Sequence, residues 1–173
     1  MSYDAEAVSR TISAYLQAVF ASAKADVVAR WAAIAPVAIP DPVTWFYGHN
    51  PVIIELASAA FPYVCVVAPG ADPAGGTESS GYGEQIVTVY VDFFVVADEI
   101  AAVNVLAQRY AAVLCRAAES QRVYAGYTRG HTPSAVSISE AFRHPKQADA
   151  DMYAEADVDF IQGGRITLTL RGE

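Results

Sequence analysis

The chain has 173 residues, 54% of them hydrophobic and 17% charged, with a formal net charge of −8 and an isoelectric point near 4.7. That length suits a single domain, 1–173, with core enough to need no disulfide or metal staple. The charge argues against an affinity for nucleic acid, which comes mostly from neutralised phosphates, and the apolar excess is explained by surface buried between subunits or by large helical cores, the first slightly preferred in so small a domain.

The first predicted element is a helix over 4–34, where Val8, Ile12, Tyr15, Leu16, Val19 and Phe20 form an apolar stripe that Val27, Val28, Trp31 and Ile34 continue. Pro36 ends it. A connector over 36–61 follows, expected to be irregular because Pro36, Pro40, Pro42 and Pro51 interrupt it, although Pro51 could open a short helix through Ala60. Its aromatic segment, Trp45, Phe46, Tyr47, Gly48, His49 and Asn50, is either a clamp over the end of the core or a ligand pocket.

The run from Tyr63 to Ala68 is a strand by composition, with Pro62 tolerated at its start. The segment 69–83 is too rich in Gly, Pro and Ser to pack a core, so a mobile loop is expected there, joining two antiparallel strands. Long loops of this kind carry function, and Pro69, Gly70, Gly75, Gly76, Tyr82 and Gly83 are the candidate interface residues.

The next stretch organises the chain. Val87, Val89, Val91, Phe93 and Val95 commit one strand face to the core, while Thr88, Tyr90 and Asp92 interrupt Ile86, Phe94 and Val96 on the other, whose middle is expected to meet water or a partner. Asp98 stands where a helix N-cap belongs, with Glu99 in the first turn. Ile100, Val103, Leu106, Tyr110, Val113, Leu114 and Ala117 then recur at helical spacing and give a stripe that can lie back on the sheet.

After a polar loop over 120–133, Val136, Ile138 and Phe142 alternate with Ser137, Ser139 and Arg143, the pattern of a strand with one wet face. In the C-terminal stretch Ala154, Ala156, Val158 and Phe160 alternate with acidic residues, and Ile166, Leu168 and Leu170 alternate with polar ones. Parity forbids a hairpin with only Gly163 and Gly164 in its loop, because apolar residues would then face polar ones. Both a hairpin through Gln162, Gly163 and Gly164 and a single strand with a glycine bend keep the parity, and the hairpin is preferred.

No segment carries a catalytic, cofactor or metal signature. His49, His131 and His144 lack the close spacing of metal ligands. Gly81, Tyr82 and Gly83 precede a strand without a following helix, unlike a dinucleotide fingerprint, and Ser79 and Ser80 have no strand-to-helix turn to make them nucleophiles. Glu155, Asp157 and Asp159 share a strand face that could hold calcium or magnesium loosely, but a solvated or subunit-facing acidic stripe explains them better. Cys65 and Cys115 read as buried thiols of a reducing compartment. No apolar run approaches the roughly 18 residues of a membrane span, and no signal peptide is expected.

The predicted fold class is therefore α+β, a four- or five-stranded, largely antiparallel or mixed sheet with two helices packed on one face. The order of elements, the aromatic-Pro-Tyr-Val start at Phe61, Pro62, Tyr63 and Val64, the strand Thr88-Val89-Tyr90-Val91 running into Asp98, and the segment from Tyr153 to Phe160 together resemble the tail terminator, or tail completion, proteins of long-tailed bacteriophages. The long 36–61 connector departs from that pattern. The resemblance implies a non-enzymatic virion protein of the tail or neck, assembled in the host cytoplasm without cofactors. It further implies a homohexameric ring that caps the tail tube, with the tube protein and the head-tail connector as partners, DNA passing through the lumen unbound, and no membrane. The alternatives are a head-tail adaptor that does not terminate the tube, and a small-molecule binding domain or enzyme with its pocket under residues 45–50.

Overall fold

The computed structural model describes residues 4–32, 38–51, 56, 58–73, 85–121, 123–124, 127–129, 135–145 and 158–172. Helix α1 (Ala5–Trp31) starts where Asp4 accepts a hydrogen bond from the Ala7 amide at 3.0 Å, satisfying one orphan donor of the first turn. Val8, Ile12, Leu16, Phe20, Ala23 and Val27 are buried, which is the predicted stripe acting as core. The helix closes at Trp31, with Ala32 as its C-cap, so it ends short of the predicted residue 34.

The connector is less irregular than its prolines suggest. Strand β1 (Thr44–Tyr47) forms within it and pairs in parallel with β2 (Tyr63–Pro73), Thr44 opposite Tyr63 and Tyr47 opposite Val66. Its aromatic residues favour a pleated surface, and Trp45 reaches under α1 to meet the Phe20 ring edge-on at 5.9 Å. A three-residue 3-10 turn (Ser58–Ala60) leads into β2.

Strand β2 runs antiparallel to β3 (Gln85–Ala97), as the predicted hairpin requires. It continues through Pro73, so the first residues of the predicted 69–83 loop are strand. The pairing shifts between Val67 and Gly70, and this bulge accommodates Pro69, which has no amide to give a ladder. The displaced Ala68 amide donates instead to Ser9 Oγ at 3.0 Å, while that hydroxyl donates to the Ala5 carbonyl, so α1 is pinned to the bulge.

Helix α2 (Ile100–Glu119) begins one residue later than Asp98 implied: Glu99 occupies the N-cap without a side-chain hydrogen bond. Its buried face is Val103, Ala107, Tyr110, Ala111, Val113, Leu114, Ala117 and Ala118. Relative to the predicted stripe this face is rotated, leaving Ile100 exposed and Leu106 half-buried. Ala107, Ala111, Ala117 and Ala118 make up half of this buried face.

Short strands β4 (Val123–Tyr124) and β5 (Tyr127–Arg129) follow, then β6 (Ala135–Ile138), β7 (Phe142–Pro145) and the long β8 (Val158–Gly172). The order across the sheet is β1-β2-β3-β8-β5-β4, with β6 and β7 also pairing with β8. It is a mixed sheet, larger than the four or five strands expected, because three of these pieces share one edge of β8.

The C-terminal segment is one strand and not the preferred hairpin. Strand β8 pairs with β3 without interruption, from Gln85 opposite Gly172 to Ala97 opposite Phe160. Gly163 and Gly164 sit inside it, and a methyl group on either would fall within the Phe94 or Phe93 ring. These glycines make room for aromatic rings across the strand pair and turn nothing.

Both helices lie on the sheet face that carries Val87, Val89, Val91, Phe93 and Val95, joined there by Val64, Val66, Ile166, Leu168 and Leu170. The opposite face holds a smaller cluster of Phe61, Tyr63, Cys65 and Ile161 flanked by Phe46, Phe94 and Val96. No helix among the described residues is long and apolar enough to cross a membrane.

Candidate functional site

The middle of the sheet face opposite the helices, expected to be wet, is built around a buried carboxylate. Asp92 is only 6% exposed at its side chain, and both its oxygens are engaged by Arg165, through Nε at 2.6 Å and Nη2 at 2.8 Å. Asn50 donates a third bond at 2.6 Å. The β3 to β8 register places Asp92 directly opposite Arg165, and the guanidinium lies over the Tyr90 ring, 4.3 Å from its centre. The Asp92 hydrogen bonds raise the Arg165 pKa above its ordinary value, against a partial burial that lowers it.

Around this clamp Asn50, Phe94, Ser137, Ser139 and Gly163 line a cavity of about 230 Å³. Beside it Tyr63 is fully buried among the rings of Phe46, Phe61 and Phe94, with no hydrogen-bond partner for its hydroxyl among the described residues. Burial raises its pKa, and it pushes the neighbouring Cys65 thiol up to about 12, the Asp92 charge adding to both. A saturated carboxylate and a thiol held protonated offer neither a free base nor a nucleophile, so this cluster holds the strands together.

A larger open cleft of about 550 Å³ runs between the start of α1 and β1, lined by Glu6, Ser9, Trp45, Phe46, Tyr47 and His49 among others. It lies at the 45–50 segment named as a possible pocket. Its polar groups do not converge, since Ser9 is consumed by the bulge and the His49 carbonyl accepts from the Cys65 thiol at 3.0 Å. The walls are mainly aromatic and backbone.

The third feature is the edge formed by β6 and β7. Val136, Ile138 and Phe142 are 47%, 38% and 42% exposed, where alternation had predicted a buried face. The pattern is a true strand pattern, but all four residues of β6 are exposed, although Val136 pairs with the buried Ile166 of β8. Between the strands Ser139 binds Gly163 through amide and hydroxyl, and Gln162 donates to the Ser139 carbonyl at 2.7 Å, which fixes the break.

Of the candidate interface residues, Pro69 and Gly70 are exposed in β2. Gly75, Gly76, Tyr82 and Gly83 lie outside the described residues, as do His131, Glu155 and Asp157. His49 is exposed, and His144 lies in β7 opposite Asp159. No group of acidic, His or Cys residues among the described ones could hold a metal ion. The Asp92, Arg165 and Asn50 clamp escaped sequence reasoning; its signal is the lone Asp within an apolar strand, which requires a buried partner.

No protein-family model matches the chain, and no curated protein does. A solved structure described as the virion of a native gene transfer agent particle is similar at 14% identity with a TM-score of 0.32, over 93% of this chain and 98% of that one. That likeness is too loose to transfer a fold or a role.

Proposed function

We propose that this chain is a structural protein of the neck or tail of a long-tailed phage-like particle, one subunit of a homohexameric ring that caps the tail tube and joins it to the head. The observation that carries this reading is the placement of both helices on one face of a mixed sheet, which is the architecture the resemblance implies. The sheet edge at β6 and β7 then stands outside the core with apolar side chains exposed, as a subunit built for assembly requires.

The net charge of −8 suits a lumen through which DNA passes without sticking. The partners are further copies of the chain, the tube protein and the head-tail connector, in a particle assembled in the host cytoplasm. The role is non-enzymatic and needs no cofactor.

The test is electron microscopy of tails assembled with and without the protein. Overlong tubes in its absence identify a terminator, whereas tubes of normal length that fail to accept heads identify an adaptor. Normal tubes that join heads equally well without it overturn the proposal.

A further inference from the structure

The sheet ends at β1 on one side and at β4 on the other, where β6 and β7 also lie along the edge of β8; the outer edges of β1 and β7 have no strand partner among the described residues. An unpaired row of backbone donors and acceptors is a template for another strand. Each of these strands is four residues long, and each carries a large exposed apolar side chain, Tyr47 at 41% and Phe142 at 42%.

We infer that the two edges are complementary, and that β7 of one copy adds to β1 of the next in a head-to-tail contact that continues the sheet from subunit to subunit. Parity supports the match. Trp45 and Tyr47 lie opposite Val64 and Val66 on the helix face, and Phe46 lies opposite Cys65 on the other. In β7 Arg143 lies opposite Phe160 on the helix face, and Phe142 opposite Ile161 on the other. With helix faces aligned, Phe142 therefore extends the aromatic cluster of Phe46, and Arg143 enters the cleft beside β1, where Glu6 is exposed.

Charge selects the head-to-tail arrangement over a two-fold one. A symmetric pairing of β7 with β7 sets Arg143 near its own copy, and β1 with β1 does the same for Glu6, whereas β7 against β1 joins opposite signs. A contact between two different surfaces repeats, and it either closes into a ring or runs on as a filament. The inference deepens the ring reading and rests on it only in that copies of the chain bind one another.

Thr44→Cys and Glu140→Cys, placed at the two edges in a Cys115→Ser background, test it with a short bismaleimide at millimolar protein. Cys65, fully buried, stays out of the reaction. The doubly substituted chain should give a ladder of dimer, trimer and higher species, and each single variant should stay monomeric. Glu6→Arg should reduce the ladder several-fold, and adding Arg143→Glu should restore it. Absence of a ladder from the folded double variant overturns the inference, as do dimers from a single variant, which mark a two-fold contact. Tubes capped by a protein that forms no ladder would spare the proposed function and sink this joint; a ladder from a protein that caps nothing would do the reverse.

Discussion

Asp92 sits at the centre of the sheet face away from the helices, in a position where an unpaired carboxylate would be costly. Arg165→Ala removes two of its three hydrogen bonds. Because Arg165 is itself 46% exposed and screened by solvent, the expected loss is about 1–2 kcal/mol in denaturant titration, below the cost of breaking a fully buried pair. Arg165→Lys should recover little, since a point charge cannot reproduce the two-pronged contact. The thiols give a second residue-scale prediction. Burial raises Cys65 to about 12 and Cys115 to about 11, so the folded chain holds those protons more tightly than the unfolded one. Their contribution to stability is complete below the ordinary thiol pKa of about 9 and falls as pH rises from there toward 12. Melting temperatures measured across that window should decline, and Cys65→Ala should flatten the decline. His49→Ala, His131→Ala and His144→Ala should each leave assembly intact; loss of a defined turnover in any of them, with folding unchanged, would overturn the non-enzymatic reading.

Among the elements, β8 bears the most pairings, and its two inner glycines set how closely β3 can approach it. Gly164→Ala drives a methyl into the Phe93 ring and should cost about 1–3 kcal/mol by overpacking, with Phe93→Leu in the same chain returning part of the loss. The same substitution in a loop glycine would cost far less, so a loss below half a kcal/mol argues against the uninterrupted strand. In α2 the buried line runs through Leu114, 1% exposed, and not through Ile100, which is 53% exposed. Leu114→Ala should therefore cost about 2–5 kcal/mol through a cavity, while Ile100→Ala should stay within about half a kcal/mol.

For the whole molecule, it is in the proposed assembly that exposed apolar surface and unpaired edges find a use. Residues 74–83 hold four glycines and two serines, a composition with little to build a core from, and we propose them as the joint to a neighbour or to the tube. Since β2 extends through Pro73, the segment to exchange begins at Ala74. Replacing 74–83 with a short Gly-Ser linker should leave the melting temperature nearly unchanged while abolishing docking to tubes. Capping at undiminished efficiency would show that these residues are not the joint; failure to fold would place them in the domain.

Local periodicity alone determined both helices, the core face of β3 and the shared face of Phe160, Ile166, Leu168 and Leu170. Each of these depends on side-chain spacing within one element, and burial of an apolar stripe leaves few ways to satisfy it. What the tertiary structure alone decided depends on pairs far apart in the chain. Gly163 and Gly164 look like a turn until Phe93 and Phe94 are laid across them, because a glycine is equally suited to bending and to close approach. Asp92 finds Arg165 only when β3 and β8 are in register. Val136 and Ile138 alternate like a buried strand yet lie exposed, since alternation states that a face exists and only packing states what covers it.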